Sequence, residues 1–214
     1  MHPYYPSTLA LPHYVPNDRD TTQLLAIVGT VCGIVLVTIL TIARSTQRPA
    51  LRLTWFLLCA LSHCGFEVYW LRHHAEVAGR SDLVAELWKE YAHADSRYLS
   101  SDPVLYALEL ITAVVWGPLC IGAFIAIWRR SSSQYLWQLL ASFGHLFSCS
   151  MYFALDFPAG FPSCDPSPYY FWLYFVSFNA PWLFIPALLS YQSICKIKKA
   201  LALTSGPYEK VKTV

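Results

Sequence analysis

The sequence predicts an all-α integral membrane protein, a five-helix transmembrane bundle around an internal ligand chamber that is partly polar and partly apolar. Three observations carry that prediction. Of the 214 residues, 56% are hydrophobic and only 13% charged, a balance unlike that of a soluble domain. Five apolar runs have about the 20 residues that a hydrocarbon core of about 30 Å demands of a helix. Inside those runs stand His63, Glu67 and Glu109, ionisable groups that cost about 2.5–3.5 kcal/mol each at a helix centre and are seldom kept without a partner or a function.

Residues 1–22 are expected to form an irregular arm, because Pro3, Pro6, Pro12 and Pro16 interrupt any regular element. The arm lacks the basic stretch and small-residue cleavage site of a signal peptide. The domain, residues 23–195, holds the runs Leu24–Ala43, Leu53–Leu71, Val104–Trp128, Tyr135–Phe153 and Tyr170–Ile194, of which only the first is free of strongly polar side chains. Between the second and third, Asp82–His93 places Leu83, Leu87 and Tyr91 on one side and Asp82, Glu86 and Glu90 elsewhere, the pattern of a short interfacial helix. Asp95 and Arg97 then read as a structural ion pair above the chamber. Asp102 followed by Pro103 supplies an N-cap and a proline at the first position of the third long helix. Residues 196–214 form a basic tail.

Loop charges orient the bundle. Arg44, Arg48 and Arg52 follow the first helix, Arg129 and Arg130 the third, and Lys196, Lys198, Lys199, Lys210 and Lys212 the fifth. Against these ten, the other side carries five, Arg19, Arg72, Arg80, Lys89 and Arg97. The excess predicts a cytoplasmic C-terminus, a lumenal N-terminus and an odd number of spans. Lys210 and Lys212 near the C-terminus resemble a dilysine retrieval signal of endoplasmic-reticulum membrane proteins, although a basic tail attracted to anionic lipid accounts for the same lysines.

A net charge of +2 and the lack of a phosphate-cradling glycine loop give no reason to expect a nucleic-acid partner. Seven scattered cysteines without a Cys-x-x-Cys pair imply neither a disulfide framework nor a zinc site. His73 and His74, adjacent in a helix, point about 100° apart. No metal is expected. Gly29 and Gly33 form a GxxxG pattern on the first helix that suits, without requiring, a homodimer.

A rise of about 1.5 Å per residue places Glu67 about 6 Å, Glu109 about 9–10 Å, His63 about 12 Å and Asn179 about 14 Å below the outer surface. One lumenal-half chamber can then hold all four. His63 and Glu67 lie four apart; Glu109, Thr112 and Trp116 make one stripe, and Asn179, Trp182 and Pro186 another. A carboxylate beside an imidazole in low dielectric suits proton transfer. The pair could instead merely brace two helices, but two carboxyls, an imidazole, Asn179 and His145 exceed what bracing needs. His145 alone reads as a satisfied core histidine. The aromatic run Tyr169–Phe175 reads as an interfacial belt, whereas Trp182, deeper, can stabilise a cation with its π-face.

Five blocks carry a resemblance: His63-Cys-Gly-Phe-Glu67; Leu87-Trp-Lys-Glu-Tyr-Ala-His-Ala-Asp-Ser-Arg-Tyr98; Glu109-Leu-Ile-Thr112 with Trp116-Gly-Pro-Leu119; Tyr170-Phe-Trp-Leu-Tyr174; and Asn179-Ala-Pro-Trp182. Over about residues 53–191 the chain resembles the emopamil-binding protein family. That resemblance implies an endoplasmic-reticulum sterol Δ8-Δ7 isomerase, acting without cofactor by protonation at C9, a cation at C8 and deprotonation at C7. It implies His63, Glu67 and Glu109 as proton-handling groups, with Tyr98, Thr112, Trp116, Asn179 and Trp182 around the substrate. Sterol and cationic amphiphilic ligands are the partners it suggests, besides membrane lipid. The alternative is a non-catalytic binder of such ligands on the same fold. His145, Ser148 and Cys149 depart from the Gln and Gly-Asp pair expected of the family on the fourth helix, and His145 could replace the missing carboxylate.

Overall fold

The computed structural model describes residues 2–204, and among these every regular element is helical. Six helices define the architecture: α1 (Thr21–Thr46), α2 (Ala50–His73), α3 (Leu83–Tyr91), α4 (Pro103–Trp128), α5 (Gln134–Asp156) and α6 (Tyr169–Leu203). Local chemistry sets their ends. The Asp20 carboxylate accepts from the Gln23 amide while Gln23 reaches back to the Asp20 amide, a reciprocal cap that starts α1. Gln47, in the left-handed region at φ 52°, closes it just before Arg48-Pro49. Asp102 accepts from the Val104 and Leu105 amides with Pro103 at the first turn, as the sequence expects for α4.

Four of these helices, α1, α2, α4 and α6, are long and apolar enough to cross a membrane. The chain is thus a multi-pass membrane protein. At 23 residues α5 matches them in length but not in hydropathy. Gln138, Ser142 and His145 form a buried polar stripe, and Gln138 donates to the Leu189 carbonyl, Gln192 and Ser193 of α6. Leu136, Leu140, Phe143 and Phe147 occupy its exposed face. A helix whose polarity faces inward reads as less membrane-like than its outer surface is.

Two apolar cores stack along the bundle. One, rich in aromatic rings, joins Trp70, Trp88, Tyr98, Tyr152, Tyr174 and Phe175; the other joins Ile39, Leu53, Phe56, Ala123, Ile127 and Ala141 at the opposite end. On α2, His63 falls between Cys59 of the second core and Trp70 of the first, and on α4 Glu109 falls between Leu105 and Cys120. The polar residues singled out from the sequence therefore sit between the cores.

Residues 2–20 carry no helix or strand, α1 beginning at Thr21 inside the stretch assigned to the arm, yet they are packed. Tyr4 is buried, and the Tyr5 carbonyl accepts from the Ser96 hydroxyl. The course of the arm reverses the expectation for α3, whose Glu86, Lys89 and Glu90 are buried rather than solvated. Asp18 N–H and Arg19 each donate to Glu86 at 2.7 Å, Lys89 donates to the Val15 carbonyl at 2.7 Å, and Tyr174 donates to Glu90 at 2.7 Å. Asp95 and Arg97 form the expected ion pair, which extends to Asp156 and Tyr152. Residues 196–204 continue α6 as helix, and Lys210 and Lys212 lie outside the described residues.

Removing Arg19 tests how the arm is held. The Arg19 side chain is 40% exposed, so screening limits the loss in Arg19→Met to about 1 kcal/mol, or about 2–4 °C in Tm. Burial pushes the Glu86 carboxyl up, but the bonds from Arg19 and the Asp18 amide outweigh it and hold the group below its ordinary value. The stabilisation is full above the unfolded value of about 4.3 and is lost as pH falls through the lower folded value. Thermal denaturation in detergent should therefore separate variant from wild type fully at neutral pH, with the separation shrinking as pH falls below about 4.

Candidate functional site

The site begins on α2, where Ser62–Glu67 is wound as a π-helix. His63 Nδ1 lies 2.7 Å from Glu67 Oε1, and the Ser62 hydroxyl donates to the same oxygen at 3.2 Å. Both His63 and Glu67 are buried. The other face of the imidazole meets α5, with His63 Nε2 3.0 Å from His145 Nε2. Glu67 Oε2 is buried with no hydrogen-bond partner in the structure, so one carboxylate oxygen remains for a ligand or a transferable proton.

Glu109 enters from α4, within electrostatic reach of Glu67 and His63. The Tyr98 hydroxyl donates to Glu109 Oε1. Tyr98 is itself buried, stacked 4.7 Å from Trp88, and its carbonyl accepts from the Trp70 indole at 2.8 Å. Burial, reinforced by the Glu109 charge, pushes the Tyr98 phenol well above its usual value, so it remains a donor at neutral pH. His63, Glu67, Glu109 and Tyr98 thus converge, drawn from α2, α4 and the short helical turn Ser96–Leu99.

The remaining sequence candidates stand around this group. Thr112 spends its hydroxyl proton on the Leu108 carbonyl of its own helix at 2.8 Å. Trp116 donates to the Ser148 hydroxyl at 2.7 Å and lies over Gly144, where an added methyl would collide with the indole. Asn179 donates to the Tyr91 hydroxyl at 2.9 Å and the Phe175 carbonyl at 2.7 Å, reaching Tyr98 only through Tyr91, 5.5 Å away ring to ring. Trp182 packs 5.5 Å from Trp55, whose ring is 6.1 Å from His145.

Several residues of this neighbourhood were not singled out from the sequence. Trp55, Tyr91, Cys59 and Cys120 belong here, and His145, read from the sequence as a core histidine or as a stand-in for the missing carboxylate of the fourth helix, contacts His63 directly. Part of the signal is visible in retrospect: Cys59, His63 and Glu67 repeat every four residues, and Cys120 continues the stripe of Thr112 and Trp116. Three π-helical segments, Ser62–Glu67, Thr112–Trp116 and Tyr169–Val176, hold or adjoin site residues, in keeping with the concentration of π-turns at functional sites.

A helical bundle with an imidazole bonded to one buried carboxyl and a second carboxyl within electrostatic reach defines a class: multi-pass membrane proteins with titratable groups clustered in an apolar interior. The sequence comparisons narrow it. The family model EBP, described as EXPERA (EXPanded EBP superfamily), matches residues 83–193. The 3-beta-hydroxysteroid-Delta(8),Delta(7)-isomerase of Cavia porcellus is 36% identical over 91% of this chain and 88% of its own. That of Rattus norvegicus is 33% identical over 100% and 96%, and a probable enzyme of the same name from Arabidopsis thaliana 31% over 97% and 94%. The chain belongs to the EBP family.

The Trp116–Gly144 contact generates a prediction. Gly144→Ala forces the indole off Ser148 and should cost about 1–3 kcal/mol of stability with a shift in tryptophan emission. Gly65→Ala, where a new methyl meets nothing within 4 Å, should change stability by less than about 0.5 kcal/mol. Thermal melts of both variants in detergent check the pair.

Proposed function

We propose that this chain is a sterol Δ8-Δ7 isomerase that moves a ring double bond by acid–base chemistry. The observation that carries the reading is the convergence of His63, Glu67 and Glu109 between two apolar cores. The reaction needs a proton delivered to C9, tolerance of a cation at C8 and a base for the C7 proton. One proton enters and one leaves, so no redox partner is required. Two carboxyl groups and an imidazole supply donor and acceptor, and their charge stabilises the cation in a medium where electrostatic interactions are weakly screened. The flanking apolar surfaces suit a sterol skeleton and exclude water.

In this reading His63, Glu67 and Glu109 handle protons, Tyr98 orients Glu109, and Trp116 with Thr112 shapes the wall. Asn179 acts through Tyr91, and Trp182 with Trp55 offers π-faces to the cation. A protonated amine on an apolar frame mimics the C8 cation, which makes cationic amphiphiles fitting ligands for the same chamber. The bundle spans the membrane five times, α5 crossing together with α1, α2, α4 and α6, because Leu136, Leu140, Phe143 and Phe147 face outward. The loop charges put the arm in the lumen and the tail in the cytoplasm, and Lys210 and Lys212 support residence in the endoplasmic reticulum.

Purified protein in deuterated water tests the reaction. Wild type should convert a Δ8 sterol to its Δ7 isomer with solvent deuterium at C9, and Glu109→Gln should lower kcat about 10²–10⁴-fold. Full turnover by a folded Glu109→Gln variant would remove Glu109 from the mechanism. Sterol binding without turnover by wild type would replace the isomerase with a non-catalytic binder. Tyr98→Phe, which loses only the bond to Glu109, should cost about tenfold in kcat, measured in the same assay.

A further inference from the structure

Four ligand atoms from three helices converge beside the site: the thiols of Cys59 on α2 and Cys120 on α4, and imidazole nitrogens of His63 on α2 and His145 on α5. All four side chains are buried, and the four atoms lie within 4.8 Å of one another. His63 Nε2 and His145 Nε2 are 3.0 Å apart, and Cys120 Sγ is 3.4 Å from His145 Nε2. A tetrahedral zinc with Zn–N of about 2.0 Å and Zn–S of about 2.3 Å sets N···N near about 3.3 Å and N···S near about 3.5 Å. The His63–His145 and Cys120–His145 separations match those values to within a few tenths of an ångström, and the widest of the four-atom separations, up to 4.8 Å, would close by about 1 Å on a bound ion.

We propose that Cys59, His63, Cys120 and His145 form a binding site for a zinc ion, tying α2, α4 and α5 together inside the bundle. Two thiols and two imidazoles are the donor set that selects zinc among abundant divalent cations. Charge favours it in this location, because two thiolates and one Zn²⁺ sum to zero and a neutral cluster is the least costly to keep in hydrocarbon. Binding releases the two thiol protons. The geometry also supplies the outer partner that a ligating histidine normally has. With Nε2 on the metal, His63 presents Nδ1–H to Glu67 Oε1 at 2.7 Å, the carboxylate–histidine–metal arrangement that fixes tautomer and ring orientation. Zinc would thereby hold the Glu67 carboxylate in place, and with the ion bound His63 would act as ligand and orienter of Glu67, its part in proton handling passing to Glu67 and Glu109. The site stands whether or not the chain isomerises sterols, since its coordination geometry makes no use of the substrate.

The test reads metal, not turnover. Full-length protein purified in detergent with Zn²⁺ present and then desalted should retain about one zinc per chain by elemental analysis. Cys120→Ser and His145→Gln should each lower retention at least about fivefold, whereas Cys64→Ser, at an exposed thiol outside the cluster, should leave it unchanged. Zinc should slow alkylation of Cys59 and Cys120 by at least about tenfold, read by mass spectrometry after unfolding and digestion. Substitution with Co²⁺ should give tetrahedral ligand-field bands and a thiolate charge-transfer band in wild type. That spectrum decides the matter even if the variants fail to fold. No thiolate–cobalt band, equal retention in Cys120→Ser, or a Cys59–Cys120 disulfide in place of bound metal would overturn the proposal.

Discussion

Hydrocarbon offers no water to a polar group, and the ionisable side chains buried between the two cores of this structure are held by one another. His63 is held in two directions at once, toward Glu67 on its own helix and toward His145 on α5. Glu109 brings α4 into the same cluster and is in turn bonded by Tyr98. A set of side chains that would be costly one by one thus becomes the junction of three helices. The same junction places acid, base and apolar surface side by side, so the feature that ties the bundle is also the feature capable of chemistry.

The winding of the helices serves that junction. An extra residue per turn in Ser62–Glu67 and in Thr112–Trp116 turns successive side chains through a smaller angle than an α-helix does. His63 and Glu67 still meet at a separation of four, while Gly117 lets α4 approach α2, its missing Cβ lying against Cys64 and His63. Gly144 allows the corresponding approach of Trp116 to α5. Close backbone approach and π-turns together bring polar groups within bonding distance that straight helices would hold farther apart.

Above the junction, the arm changes the character of α3. A short helix with Glu86, Lys89 and Glu90 on one face would be amphipathic and surface-bound if it stood alone. Covered by residues 15–19, those charges become internal, each bonded to an arm carbonyl or amide, to Arg19 or to Tyr174. Trp88 of the same helix stacks on Tyr98, which holds Glu109. The cover and the site are therefore mechanically continuous through two aromatic rings.

Much was legible from the residues themselves. Apolar runs marked the long helices, Asp102-Pro103 marked the start of α4, and the spacing of four between His63 and Glu67 put the two groups in contact, because all three depend on interactions within a turn or two of chain. The motifs around Glu109, Trp116 and Asn179 pointed to the family. Only the tertiary structure decided which faces meet. The sequence placed Asn179 in a common chamber with His63, whereas the fold ties it to Tyr91. It gave no reason to join Cys59, Cys120 and His145, and it could not show that the arm turns the charged face of α3 inward. Periodicity records which residues share a helix face, but how each helix is rotated against its neighbours depends on π-turns, glycine contacts and a covering arm, all of which act between segments distant in the chain.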